Sequence, residues 1–178
     1  MDSELKILFV MLQFKPLSKV SIPKALVKAK HYRLLNEPWQ AESICKDVLN
    51  VEPENQLAIL YLILAISDQF TNDDVSGQTN AKKLCARLDS EYDKKYYRGL
   101  IEERLGKAAL KRNTPRAKYI AYENYRSAMN YFEEAEKAIH TDDNQDVVLR
   151  WNACMRRIQE FKLTPSQNED QVQPFLDV

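Results

Sequence analysis

Glycine is scarce in this chain, with three in 178 residues. A β-sandwich or barrel needs many more turn glycines, and nucleotide-binding α/β folds need a glycine-rich loop. Cysteine is equally sparse: Cys45, Cys85 and Cys154 are an odd, widely spaced set. That spacing matches neither a disulfide framework nor a zinc site. Each sits in an apolar helical context, where a free thiol behaves as a small buried hydrophobe, and a reducing cytoplasm is the expected compartment. Two histidines, His31 and His140, lie far apart with no nucleophile beside either, so no acid–base or metal constellation can be assembled. The expectation is a protein without enzymatic activity or cofactor. Net charge is also absent, with 26 basic residues against 26 acidic, which argues against a dedicated nucleic-acid binder. Long hydrophobic runs are missing as well. Residues 59–66 are apolar but far short of the roughly 20 needed to span a bilayer. Residues 7–12 are apolar but follow Asp2 and Glu4 and precede no small-residue cleavage site, unlike a signal peptide. No membrane partner is expected. Met11 is a second candidate start, since nothing before it joins the repeat pattern described below.

What is abundant is Ala, Leu, Lys, Glu, Arg and Gln, all good helix formers. Apolar residues recur at helical spacing through most of the chain. A short leading helix is expected over 3–14 and a linker between Pro16 and Pro23. Pro23 suits a first helical turn, and Ala25, Ala29, Tyr32 and Leu35 follow at helical spacing. Asn36-Glu37-Pro38 breaks that helix. A second carries Ala41, Ile44, Cys45, Val48 and Leu49. A third, started by Pro53 where no amide donor is needed, begins near Glu54 and runs to about Phe70. Residues 71–79 read as a polar loop, then Ala81, Leu84, Cys85 and Leu88 mark a fourth helix. Ser90 with Asp93 is a capping-box-like start for a fifth, carrying Tyr97, Leu100, Ile101, Leu105 and Ala108. A sixth, over about 116–139, places Tyr125, Ala128, Phe132, Ala135 and Ala138 inward. A seventh carries Val148, Leu149, Trp151, Ala153, Met155 and Ile158 and ends near Phe161. The chain thus reads as an N-terminal extension (1–21), a helical domain (22–162) and an acidic, disordered tail (163–178).

A repeat underlies these helices. Residues 22–55 place small Ala29 and then Tyr32 on one helix, Ala41, Cys45 and Val48 on the next, and Pro53 at the close. Small residues let paired helices approach, and the aromatic fills space between hairpins. This 34-residue unit resembles a tetratricopeptide (TPR) repeat. Two looser units follow, over 54–90 and 91–143, the first with an insertion in residues 71–79 and the second with overlong helices. The stretches "YYRGLIEERLGKAAL" and "FKPLSKVSIPKAL" also look like a group of small bacterial TPR proteins. The resemblance implies an all-α, TPR-like α-solenoid of about three hairpins with a C-terminal capping helix. It further implies an interaction scaffold that holds an extended or helical segment of a partner in a concave groove.

Two local patterns invite chemistry and fail. Residues 72–77 resemble the start of a calcium loop, but the twelfth position is Lys83, where a carboxylate is required. Glu102-Glu103 and Glu133-Glu134 are adjacent, so on a helix they point about 100° apart. The candidate site is instead the stripe that would line a TPR groove: Lys30 and Arg33, then Leu57, Tyr61 and Leu64, then Lys95 and Arg98, then Arg150, Trp151 and Arg157. Cations around an apolar centre suit a protein or peptide partner that is acidic. Ordinary solubilising charges are the competing reading. The stripe departs from the carboxylate-clamp TPR proteins, because no Asn matches theirs in the first two hairpins. The acidic tail, ending in "QNEDQVQPFLDV", is a candidate occupant of the same groove. The alternative is a regulatory or nucleic-acid-associated scaffold, for which a dimer is one form, using Arg150, Trp151, Arg156, Arg157 and Lys162.

Overall fold

The computed structural model describes residues 13–70, 75–111, 114, 116–138 and 145–166. Those residues are all-helical, with no strand among them. Seven α-helices follow a 3-10 turn at Lys19–Ser21: α1 (Ile22–Leu34), α2 (Pro38–Val51), α3 (Gln56–Asp68), α4 (Val75–Cys85), α5 (Glu91–Leu110), α6 (Ala117–Lys137) and α7 (Asp146–Glu160). The leading helix expected over 3–14 lies almost wholly outside the described residues, as does the segment 167–178. By its own contacts the chain forms two compact units, 1–62 and 63–178, with the boundary inside α3.

In the first unit α1 and α2 pack as a hairpin. Pro23 occupies the first turn of α1 and Pro38 that of α2, where the missing amide costs nothing. Asn36 turns the chain between them at φ 60°, a left-handed conformation that Asn tolerates. Ala29, Ala41, Cys45 and Val48 are fully buried, in keeping with close approach of the two helices. Ile22, Leu26, Val48 and Ala58 form the core, with Leu17, Leu49 and Tyr61 packed against it. One detail differs from the sequence reading. Pro53 lies in a turn outside α3, not in its first turn. Asn55 is the cap, because its Oδ1 accepts from the Ala58 amide at 3.0 Å and so satisfies one of the orphan donors of a helix start.

The second unit is built on α5 and α6, two long helices of 20 and 21 residues. Ser90 caps α5 as expected, its Oγ accepting from the Asp93 amide at 3.3 Å. On α6, Ala121, Ala128 and Ala135 are buried at seven-residue intervals, and so are Tyr125 and Phe132. This is the repeat of a packed helical seam. The seam also explains Gly99 and Gly106. A methyl group at Gly99 would meet the Phe132 ring, and one at Gly106 the Tyr125 ring. Seven residues forward on α5 corresponds to seven backward on α6, so the pair is antiparallel. α4 packs on α5, and α7 on α6. At the end of α7, Lys162 takes φ 49° and the Leu163 amide donates to the Ile158 carbonyl at 2.9 Å. That is a Schellman-type close, and it buries Leu163 in the core.

Two sequence expectations need correction here. Residues 75–79 are not loop but the first turns of α4; Gly77 in a first turn is tolerated because few intrahelical bonds are yet committed there. Ala138 is exposed, because it is the residue at which α6 ends.

Candidate functional site

α1 carries apolar residues on two faces. Ile22, Leu26 and Ala29 point into the core. Val27 and Leu34 are 70% and 77% exposed, although a surface helix normally turns polar residues outward. Beside this outward face runs an open cleft of about 660 Å3. Ile22, Leu26, Leu57 and Tyr61 form its apolar floor and wall, and Lys19 on the 3-10 turn with Pro23, Val27 and Lys30 on α1 edge it. Along the turn and the helix these last four are spaced by four, four and three residues, so they form a single stripe. Leu34 continues it one turn further on.

The electrostatics of this surface are one-sided. Residues 13–36 contain Lys15, Lys19, Lys24, Lys28, Lys30 and Arg33 but no Asp or Glu. Among the described residues, the ion pairs found include none with Lys19, Lys24, Lys28 or Lys30. The carboxylate that lines the cleft, Glu52, accepts a hydrogen bond from the Asn55 side-chain Nδ2 at 2.9 Å. Its charge is therefore partly engaged by the cap of α3.

Of the candidate groove residues, Lys30, Leu57 and Tyr61 meet in this cleft. Arg33 does not line it. It lies toward the packed side of α1, close enough for its charge to oppose the shift of the Cys45 thiol, which burial pushes up to about 12. Leu64, Lys95, Arg98, Arg150, Trp151 and Arg157 belong to the second unit. There the polar ones engage side chains of their own chain. Lys95 Nζ meets Glu134 Oε2 at 2.6 Å. Arg98 meets the buried Glu102 at 3.2 Å, and Lys82 meets the same oxygen at 3.0 Å; the Arg98 guanidinium also lies over the Tyr131 ring at 5.4 Å. Arg150 meets Glu103 at 3.3 Å. The Trp151 indole donates to Glu133 at 2.9 Å, and Arg157 meets Glu160 at 2.9 Å. Leu64 is half-buried, and its carbonyl accepts from Arg104 at 2.9 Å.

The stripe therefore separates into two sets with different chemistry. In the first unit Lys30 borders an apolar cleft, and the ion pairs found among the described residues do not include it. In the second, Lys95 and Arg150 form ion pairs between helices, and Arg98 and Arg157 form them within their own. Lys19, Pro23, Val27 and Glu52 are cleft residues that the sequence reading left out. The signal for Lys19 and Val27 lies in the acid-free stretch of residues 13–36 and in the seven-residue spacing of Val20, Val27 and Leu34; nothing local marks Glu52.

The described residues contain no group of three or more His, Cys, Asp or Glu placed to hold a metal ion. No helix among them is long and apolar enough to cross a membrane. The three thiols, Cys45, Cys85 and Cys154, are each buried, and burial raises each to about 12. Such thiols are poor nucleophiles, since the thiolate is the reactive form. Compared with protein-family models, curated proteins and solved structures, the chain matches none.

Proposed function

We propose that this chain is a non-enzymatic interaction module, a TPR-like helical scaffold of the cytoplasm, and that it holds a segment of a partner protein in the cleft beside α1. The observation that carries the reading is the second apolar face of α1. Exposing Val27, Leu34 and Leu57 beside a cleft has a solvation cost that packing within the unit does not recover. Contiguous apolar exposure with a polar rim is the usual mark of a docking site. A groove of this kind recognises a helix or strand through a few anchors set at regular intervals. The support for TPR character is the hairpin of α1 and α2, with small buried residues at Ala29 and Ala41.

The alternative use of α7 on nucleic acid has less support. Arg150 and Arg157 already face carboxylates at 3.3 and 2.9 Å, and a phosphate would have to displace them.

The test is affinity purification with wild type and with Val27→Asp/Leu57→Asp. Both positions are exposed, so circular dichroism should be unchanged and stability should move by no more than about 1 kcal/mol. The proteins that co-elute with wild type should be lost with the variant. Retention of all of them by a folded variant sinks the cleft as the binding site.

A further inference from the structure

The charge and shape of the cleft narrow what it takes. Lys19 and Lys30 are the first and last lining residues along the 3-10 turn and α1, eleven residues apart, or roughly 17 Å. The rest of the lining is apolar except for Glu52 and Asn55, whose side chains are hydrogen-bonded to each other at 2.9 Å. Lys24 and Lys28 add positive potential on the neighbouring surface of the same helix, with no acidic residue until Glu37. A ligand must therefore bring negative charge at its edges and apolar side chains at its centre.

Three occupants meet part of that description. A second copy of this chain offers the apolar face. A symmetric contact, however, presents the same patch from both sides, setting Lys19, Lys24, Lys28 and Lys30 against themselves. An anionic bilayer meets the charge. A bilayer presents a broad surface that reaches protruding side chains, whereas Ile22 and Leu26 lie at the bottom of the cleft and are only 4% and 6% exposed. A narrow peptide segment meets both requirements. We infer that the cleft takes an acidic amphipathic segment of a partner protein, with carboxylates against Lys19 and Lys30 and apolar side chains against Val27, Leu57 and Tyr61. This rests on the cleft reading above and adds the chemistry of the ligand. In a helical ligand the two carboxylates stand about three turns apart, with apolar residues at three- and four-residue spacing between them.

A random-peptide display library selected on the immobilised full chain tests the inference. Selected peptides should carry about a twofold excess of Asp and Glu over the input. They should bind the Lys19→Glu/Lys30→Glu variant roughly tenfold more weakly, because two attractions become two repulsions. Peptides recovered without an acidic excess, or bound equally by the charge-reversed variant, overturn the acidic ligand and leave the cleft reading standing. A library that yields no binder displaced by Val27→Asp/Leu57→Asp overturns the cleft reading itself. Vesicles of phosphatidylserine and phosphatidylcholine form the last arm. Sedimentation of wild type but not of Lys19→Glu/Lys30→Glu with them, tighter than any selected peptide, assigns the surface to lipid and overturns the proposal.

Discussion

At Gly99 and Gly106 two side-chain hydrogens decide how closely α5 and α6 approach. A Cβ at Gly99 would lie 2.7 Å from Phe132 Cε1 and 2.8 Å from Cδ1, with the Ala128 carbonyl oxygen at 3.2 Å. Phe132 is fully buried, so its ring has little room to retreat. At Gly106 the nearest atoms are Tyr125 Cε2 and Cζ at 3.1 Å, a contact that small ring movements can relieve. Alanine gains about 1 kcal/mol over glycine in a helix interior, while overpacking costs about 1–3 kcal/mol. The balance differs between the two sites. Gly99→Ala should lower the melting temperature by roughly 2–8 °C. Gly106→Ala should change it little, within about 1 kcal/mol of wild type. Thermal melts of the two single variants check this. Equal effects would mean that the ring at Phe132 is as free to move as the one at Tyr125.

At the scale of helices, long-range ion pairs connect α5 to its neighbours, and they mark the limit of what the sequence discloses. The periodicity locates every described helix, and Ser90 with Asp93 discloses the start of α5, because these signals lie within a few residues of one another. The partners of Lys95 and Arg150 lie 39 and 47 residues away, so both cations look free in the sequence. Arg98 and Glu102 are four apart, a spacing that joins side chains on one helix face, yet the burial of Glu102 depends on α4 packing from outside that helix. The start of α4 was obscured for another reason: Ser76 and Gly77 read as turn residues. The Glu103–Arg150 pair links α5 to α7 and has a consequence for pH. Burial of Glu103 raises its carboxyl above the ordinary 4.5, and Arg150, Arg104 and Lys107 only partly oppose this. A carboxyl raised in the folded state favours folding while protonated, and that contribution is lost as pH rises through the folded value. Glu103→Gln cannot lose it. The melting temperature of Glu103→Gln minus that of wild type should therefore become more positive from pH 4.5 to pH 7. A flat difference across that interval would mean that the arginine neutralises the burial effect completely.

Over the whole chain the 26 positive and 26 negative residues cancel, and this cancellation conceals how they are distributed. Residues 13–36 hold six cations and no acid, while residues 37–62 hold Glu37, Glu42, Asp47, Glu52 and Glu54 against Lys46 alone. Charges separated by more than roughly 8–10 Å are largely screened at physiological salt, so an approaching ligand responds to the nearest patch and not to the sum. Clustered charge of one sign steers association even in a neutral protein. The same asymmetry that selects an acidic ligand should therefore appear in bulk behaviour. At pH 7.5 and low salt the wild-type chain should be retained on a cation-exchange matrix despite its zero formal charge. Lys19→Glu/Lys30→Glu should elute at clearly lower salt. A control with the same change in net charge, Lys118→Glu/Lys137→Glu, alters exposed positions of α6 and should shift the elution much less. Equal shifts for the two variants would show that the matrix reads net charge alone, and the α1 surface would then be no stronger a basic patch than the rest of the molecule.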